Sequence, residues 1–144
     1  MRHLSELKKG QRPNMITHPH MRDATEPLVF EVEYICDVKG SVVGSIEQCA
    51  GAHGLRRLSG VIDARVMKST TYVEFEDGRI LKYRNPAPLN QAVDGFDHTA
   101  GLFPPGRYRL EPTKAHDRIG ARKTRLRGTE SRPVPRRQKI VALR

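Results

Sequence analysis

Cationic side chains near the carboxyl end of this 144-residue chain could bind phosphate groups. Arginine suits that chemistry because its planar guanidinium can donate two parallel hydrogen bonds to a pair of phosphate oxygens. The spacing is irregular, as contacts to a polyanion backbone allow, and such contacts carry little base-sequence information. The predicted phosphate-contacting residues are Arg118, Arg122, Lys123, Arg125, Arg127, Arg132, Arg136, Arg137 and Lys139.

The charge balance separates this segment from the rest of the chain. Residues 1–106 carry 13 basic and 13 acidic side chains, whereas residues 107–144 carry 13 basic and 3 acidic ones, so the formal net charge of +10 lies entirely in the second stretch. Apolar residues are scarce there, and glycines and prolines prevent one long helix. We therefore expect a basic extended arm over residues 113–144 that becomes ordered on its partner.

The expected partner is nucleic acid, either DNA or RNA, or an acidic protein surface in a larger assembly, because electrostatic steering acts on both. A tail that only solubilises the protein is a third interpretation. No aromatic residue follows Tyr108, which favours phosphate contact over base stacking in the arm. Tyr72 and Tyr83 could form a stacking face on a sheet, although burial in the core is the preferred interpretation.

A second set of residues could perform acid–base chemistry on RNA. His98, His116 and Lys114 have the side-chain types that metal-independent phosphodiester cleavage needs, with Arg107 or Arg109 stabilising the negative charge of the phosphorane. No carboxylate is evidently placed to orient either histidine. The favoured prediction is therefore a protein without catalytic activity, and a small ribonuclease is an alternative.

Metal and cofactor chemistry have little support in the sequence. Asp94, Asp97 and His98 are three ligand types in one predicted loop without a second cluster, and the pair His18 and His20 lacks a third ligand. The two cysteines, Cys36 and Cys49, have no second Cys/His pair at zinc-finger spacing. Gly-rich phosphate loops and nucleophile elbows are absent as well. We expect no metal and no cofactor.

The elements that must position these residues lie between residues 28 and 112. Apolar residues that alternate with polar ones predict half-buried strands, and three of these strands follow one another closely between residues 62 and 84. Asp77 and Gly78 predict a two-residue type I′ turn, which would pair Tyr72 with Tyr83. The predicted strands cover residues 28–38, 62–67, 72–76 and 79–84, with a closing strand at Tyr108 and Leu110 before Pro112.

One helical segment is predicted between the first two strands, capped by Ser41 or Ser45. Gly51 and Gly54 weaken its second half, so the helix either ends near His53 or continues into a helix-turn-helix over residues 45–64. Residues 89–106 are expected to form a long connection. Residues 1–27, in which breakers interrupt a weak periodicity, are expected to form an amino-terminal arm.

The stretch Val73-Glu74-Phe75-Glu76-Asp77-Gly78 resembles hairpins of SH3-like barrels, including Tudor-type and KOW-type modules, over these six residues. The resemblance implies a platform for binding nucleic acid or protein. A minimal barrel of this kind would not contain the helix that is predicted before residue 62. We therefore expect an α+β fold over residues 28–112: a small curled antiparallel sheet or SH3-like partial barrel of about five strands with one inserted helical segment and extended terminal arms.

The sequence contains no apolar run close to the roughly 18 residues that a membrane span needs, and its amino terminus lacks the hydrophobic stretch of a secretory signal. We expect a cytoplasmic protein that does not contact membranes. The sequence predicts a nucleic-acid-binding accessory protein whose core supplies specificity and whose arm supplies affinity. The alternative is a protein-binding inhibitor or assembly factor whose arm docks in an anionic cleft of a larger machine.

Overall fold

A computed structural model describes residues 3–33, 38, 45–47, 49–98 and 103–120. The chain divides into two units, Met1–Thr113 and Lys114–Arg144. In its described residues, the first unit contains a curled antiparallel sheet of five strands that forms a half-barrel, together with two helices. The predicted fold class, a small α+β fold with a partial barrel, is therefore confirmed.

The strands and helices occupy the regions where alternation predicted most of them. The strands are β1 (Arg22–Asp23), β2 (Leu28–Val32), β3 (Val61–Val66), β4 (Thr70–Phe75), β5 (Ile80–Arg84) and β6 (Gly106–Pro112), and the helices are α1 (Ala50–Arg56) and α2 (Ala87–His98). The meander β3–β5 begins and ends within two residues of the predicted bounds. The first predicted strand is shorter than expected in its described part, since β2 ends at Val32 and residues 34–37 lie outside the described residues.

The sheet has the strand order β2-β6-β5-β4-β3, with antiparallel pairing throughout, and the short β1 runs parallel to β5. Only the last two residues of β5, Tyr83 and Arg84, pair with β6. The preceding two, Leu81 and Lys82, pair with β1 along the same edge of β5. Because β1 and β6 share this edge, β6 diverges from β5 and the sheet curls.

The β4–β5 hairpin has a three-residue loop, so the predicted two-residue turn is wrong by one residue. The Phe75 N–H donates to the Arg79 carbonyl at 2.8 Å, the Gly78 N–H donates to the Phe75 carbonyl at 2.9 Å, and Gly78 has φ +91°. A left-handed glycine after a turn is typical of three-residue hairpin loops. Tyr72 therefore pairs with Lys82 instead of Tyr83. Since a slip of one residue reverses the faces, Tyr72 and Tyr83 lie on opposite faces of the sheet.

One face of the sheet packs against both helices. Leu55 of α1 and Phe96 of α2 are fully or almost fully buried in one apolar cluster with side chains from β2, β3, β4, β5 and β6. Members of this cluster from the strands include Phe30, Ala64, Val66, Val73, Tyr83, Tyr108 and Leu110. This cluster is the main core of the first unit.

The amino-terminal segment, residues 3–21, covers the opposite face of the sheet. Leu4, Leu7 and Met21 are buried there, and the sheet contributes Tyr72 and Ile80, which lie outside the main cluster. The described part of the predicted arm, residues 3–27, thus packs on the sheet instead of extending from it. Its apolar residues are too irregularly spaced to match a strand or a helix, which is why periodicity did not reveal their burial.

The helices differ from the prediction in two ways. The element that follows α1 is the strand β3 and not a second helix. The helix-turn-helix considered for residues 45–64 therefore does not form. The predicted connection over residues 89–106 contains α2, whose Leu89, Ala92 and Phe96 are buried at the spacing of one helical face. Prolines 86 and 88 obscured this pattern, yet proline is tolerated in a first helical turn, where backbone N–H groups have no intrahelical partner.

Candidate functional site

The charge difference predicted from the sequence follows the boundary between the two units. The unit Met1–Thr113 has 15 basic and 14 acidic residues, a formal charge of +1, whereas Lys114–Arg144 has 11 basic and 2 acidic residues, a formal charge of +9. Of the nine predicted phosphate-contacting residues, Arg118 lies in the described part, where it is exposed after the short 3-10 turn Ala115–Asp117. The other eight, from Arg122 to Lys139, lie outside the described residues.

The residues proposed for ribonuclease chemistry are divided between the two units, with His98, Arg107 and Arg109 in the first and Lys114 and His116 in the second. His116 is exposed in the second unit, where its Nε2 lies 3.3 Å from Asp117 Oδ2. His98 ends α2, and its side chain lies outside the described atoms. Arg107 and Arg109 are exposed on β6, where they pair with Glu31 at 3.3 Å and Glu111 at 3.1 Å. These carboxylates offset the positive charge that a phosphorane would need.

The histidine and aspartate groups considered as metal ligands have other roles or positions. The ring of fully buried His18 uses both nitrogens, since Nδ1 lies 2.9 Å from Thr17 Oγ1 and Nε2 lies 3.1 Å from the His3 carbonyl. Asp94 is exposed on α2, a helix instead of the predicted loop. Among the described residues, no three His, Cys, Asp or Glu side chains cluster as a metal site.

Tyr72 and Tyr83 do not form a stacking face. Their exposed fractions are 2% and 3%, they lie on opposite faces of the sheet, and burial raises the pKa of both hydroxyls. The preferred interpretation of these tyrosines as core residues is confirmed. These two described tyrosines thus do not supply an aromatic platform of the kind by which many single-strand-binding proteins hold bases.

A buried arginine, which the sequence pattern did not reveal, holds the amino-terminal segment on the sheet. Arg65 on β3 is only 3% exposed, and its guanidinium donates to Glu47 Oε2 at 2.6 Å. It also donates to backbone carbonyls of the amino-terminal segment, namely those of Leu4, Leu7, Lys8 and Gln11 at 3.1 to 3.5 Å. A buried guanidinium needs such partners because an unpaired charge in the interior is strongly unfavourable.

A buried carboxylate on the neighbouring strand holds the start of the same segment. Glu74 on β4 is 1% exposed and accepts hydrogen bonds from the Leu4 N–H at 2.9 Å and from His3 Nδ1 at 2.5 Å. The hydrogen bond with Glu74 raises the pKa of His3, whose side chain is 55% exposed. The nearby His20 has a lowered pKa because burial and the adjacent His18 disfavour its charged form.

The sequence does contain a signal that these two charged side chains are buried. Arg65 lies between Ala64 and Val66 on β3, and Glu74 lies between Val73 and Phe75 on β4. Reading their positions as a solvated face is correct only if the second face of the sheet is open. A charged residue on a strand whose second face is also covered is buried, and it then needs a specific partner.

Two open grooves on the first unit have mixed charge. The groove between β2 and α1 is lined by Val29, Leu58 and the pair Arg57 and Glu33, whose charged atoms lie 3.7 Å apart. The groove beside β3 contains the ion pair between Arg65 and Glu47 and the pair between Arg56 and Asp63 at 3.4 Å. Internally paired charges do not favour an anionic or a cationic ligand in the first groove. The second groove is also lined by Lys9, which forms no ion pair with another described residue.

No helix within the described ranges is both long enough and apolar enough to cross a membrane. Comparisons of the chain with protein-family models, with curated proteins and with solved structures found no match.

Proposed function

We propose that this protein is a non-catalytic accessory protein that binds nucleic acid, with the folded unit supplying a specific surface and the basic segment supplying affinity for the phosphate backbone. The observation that carries the proposal is the formal charge of +9 on residues 114–144 beside +1 on the rest of the chain. Phosphate neutralisation by such a segment releases counterions from nucleic acid, which makes binding favourable and sensitive to salt.

The charge partition predicts the salt dependence of binding. If roughly 6 to 8 phosphates are contacted, the logarithm of affinity falls with the logarithm of salt concentration at a slope of about −5 to −7 on duplex DNA. Affinity of this origin depends on the charge of a side chain more than on its shape. Arginine-to-lysine substitutions therefore retain the slope, whereas arginine-to-glutamine substitutions reduce it.

The experiment compares two full-length variants by fluorescence anisotropy on a labelled duplex of about 20 base pairs and on its single strand. The first variant changes Arg122, Arg125 and Arg127 to glutamine, and the matched control changes the same residues to lysine. We expect the glutamine variant to lower the magnitude of the slope on duplex by about 2.7, at about 0.9 for each phosphate contact, and the lysine variant to keep it. Wild-type binding that does not change with salt would contradict the proposal.

The rival function, an inhibitor or assembly factor that docks its basic segment on an acidic protein, gives a different result in a pull-down. Nuclease treatment removes all captured partners if nucleic acid is the ligand. Capture of one stoichiometric protein after nuclease treatment supports the rival instead. We also propose a cytoplasmic location, which accords with either function.

A further inference from the structure

The amino-terminal segment contains a tight turn at residues 8–11. The Gln11 N–H donates to the Lys8 carbonyl at 2.9 Å, and Gly10 has φ +78°. A positive φ at the third residue is the mark of a type II turn, and glycine adopts it without strain. The Gly10 N–H also donates to Glu47 Oε2 at 2.6 Å, which fixes the turn to the rest of the folded unit.

Buried Arg65 sets the orientation of this turn. Its guanidinium donates hydrogen bonds to the carbonyls at both ends of the turn, those of Lys8 at 3.3 Å and Gln11 at 3.1 Å. These carbonyl oxygens, which would repel a phosphate, therefore face the interior. The side chains of Lys8 and Lys9 are exposed, as is that of Arg12, which follows the turn.

The exposed cations of this turn differ from most others on the first unit. Arg79 pairs with Asp77 at 2.7 Å, and Arg107 and Arg109 pair with carboxylates on β2 and β6. Within the described part of the chain, no carboxylate lies within ion-pair distance of Lys8 or Lys9. Glu47, which binds the turn, directs its Oε2 to Gly10 and Arg65. The positive charge of the two lysines is thus available to an external anion.

We propose that residues 8–12, the basic turn, form a second phosphate-binding site, located on the folded unit, whose ligand is the phosphodiester backbone of nucleic acid. The inference rests on the proposed function and adds a place where the folded unit itself contacts the ligand. Because the turn is fixed by Arg65 and Glu47, its lysines bind phosphate with little loss of backbone freedom. Such a contact orients the nucleic acid relative to the folded unit.

The test measures the salt dependence of binding of full-length protein to the same duplex. The variant Lys8→Ala/Lys9→Ala removes the two lysines of the turn, and the matched control Lys68→Ala/Arg79→Ala removes two exposed cations elsewhere on the first unit. We expect the turn variant to lower the magnitude of the slope by about 1.8. Between about 50 and 200 mM salt, wild-type affinity then falls about 12-fold more than that of the turn variant. The control keeps the wild-type slope.

The outcomes separate this inference from the proposed function. If wild-type binding is independent of salt, the proposed function fails and the basic turn has no such ligand. If wild-type binding depends on salt and the Arg122/Arg125/Arg127 glutamine variant lowers the slope, an unchanged slope in the turn variant overturns the inference alone. An equal loss in the Lys68/Arg79 control also overturns it, because overall charge would then explain the effect. Equal urea midpoints for the three proteins confirm that none is unfolded.

Discussion

Gly54 marks the closest approach of helix α1 to the sheet. A Cβ at this position would lie 2.7 Å from the Glu31 carbonyl oxygen and 3.2 Å from Val32 Cγ2, both on β2. Substitution by alanine therefore places a methyl group against backbone, which no change of rotamer can relieve. To regain a separation of 3.4 Å, α1 must move by about 0.7 Å from β2.

Two opposing effects set the magnitude for Gly54→Ala. Alanine in a helix interior is about 1 kcal/mol more favourable than glycine. Overpacking of a well-packed site costs about 1 to 3 kcal/mol, and backbone contact at 2.7 Å places this site at the upper end. We expect a net loss of about 1 to 2 kcal/mol in the free energy of unfolding.

Two other helical glycines supply matched controls. A Cβ at Gly95 of α2 would meet nothing within 4 Å, and one at Gly51 of α1 would lie 3.4 Å from Val66 Cγ2, an ordinary contact. Gly95→Ala should therefore stabilise the protein by about 0.5 to 1 kcal/mol, and Gly51→Ala should be neutral or slightly stabilising. Urea unfolding followed by far-ultraviolet circular dichroism measures all three. A Gly54→Ala protein as stable as Gly95→Ala would refute the close packing of α1 on β2.

Three further expectations concern the cover of the second face and the hairpin. The pKa of His3 is raised above 6.5, and the largest cause is its hydrogen bond to Glu74. The stabilising effect of His3 is therefore complete below about pH 6.5 and is lost as pH rises through the raised pKa. The urea midpoints of wild type and His3→Asn should differ at about pH 5.5 and converge at about pH 9. Arg65→Met should lower the free energy of unfolding by about 3 kcal/mol, against at most about 1 kcal/mol for exposed Arg107→Met, as measured by urea titration. Gly78→Ala should cost about 1 to 2 kcal/mol in the same titration because φ is +91°, and no loss would argue against the three-residue loop.

Local patterns were sufficient for the main strands and insufficient for their register. Alternation at Val73 and Phe75 and at Ile80 predicts β4 and β5, and the bounds agree to within two residues. The position of Gly78 is compatible with a two-residue or a three-residue loop. The choice depends on which face each strand buries, and β4 buries both, so the pattern of its side chains did not discriminate between the two registers.

The predicted site was accessible to sequence analysis only as charge. The concentration of arginine and lysine after residue 113 needs no structure to be noticed, and most of it lies outside the described residues. The basic turn was not noticed because Lys8, Lys9 and Arg12 lie in a stretch without periodicity. Their significance depends on Arg65 and Glu47, which are distant in sequence and are joined to the turn only by the tertiary fold.

The second face of the sheet explains why charged residues occupy positions where apolar ones would be expected. A segment without regular secondary structure carries N–H and carbonyl groups that find no partner within the segment, and burial makes each of them costly unless it is hydrogen-bonded. Glu74 accepts from the Leu4 N–H, and Arg65 donates to four carbonyls of the same segment, so these side chains supply hydrogen-bond partners that regular secondary structure would otherwise provide. Leucine or methionine could fill the space at position 65, but neither could satisfy those carbonyls. The same bonds that allow an irregular segment to close the sheet also turn the backbone oxygens at residues 8 and 11 inward, which leaves lysine side chains as the outer surface of the turn.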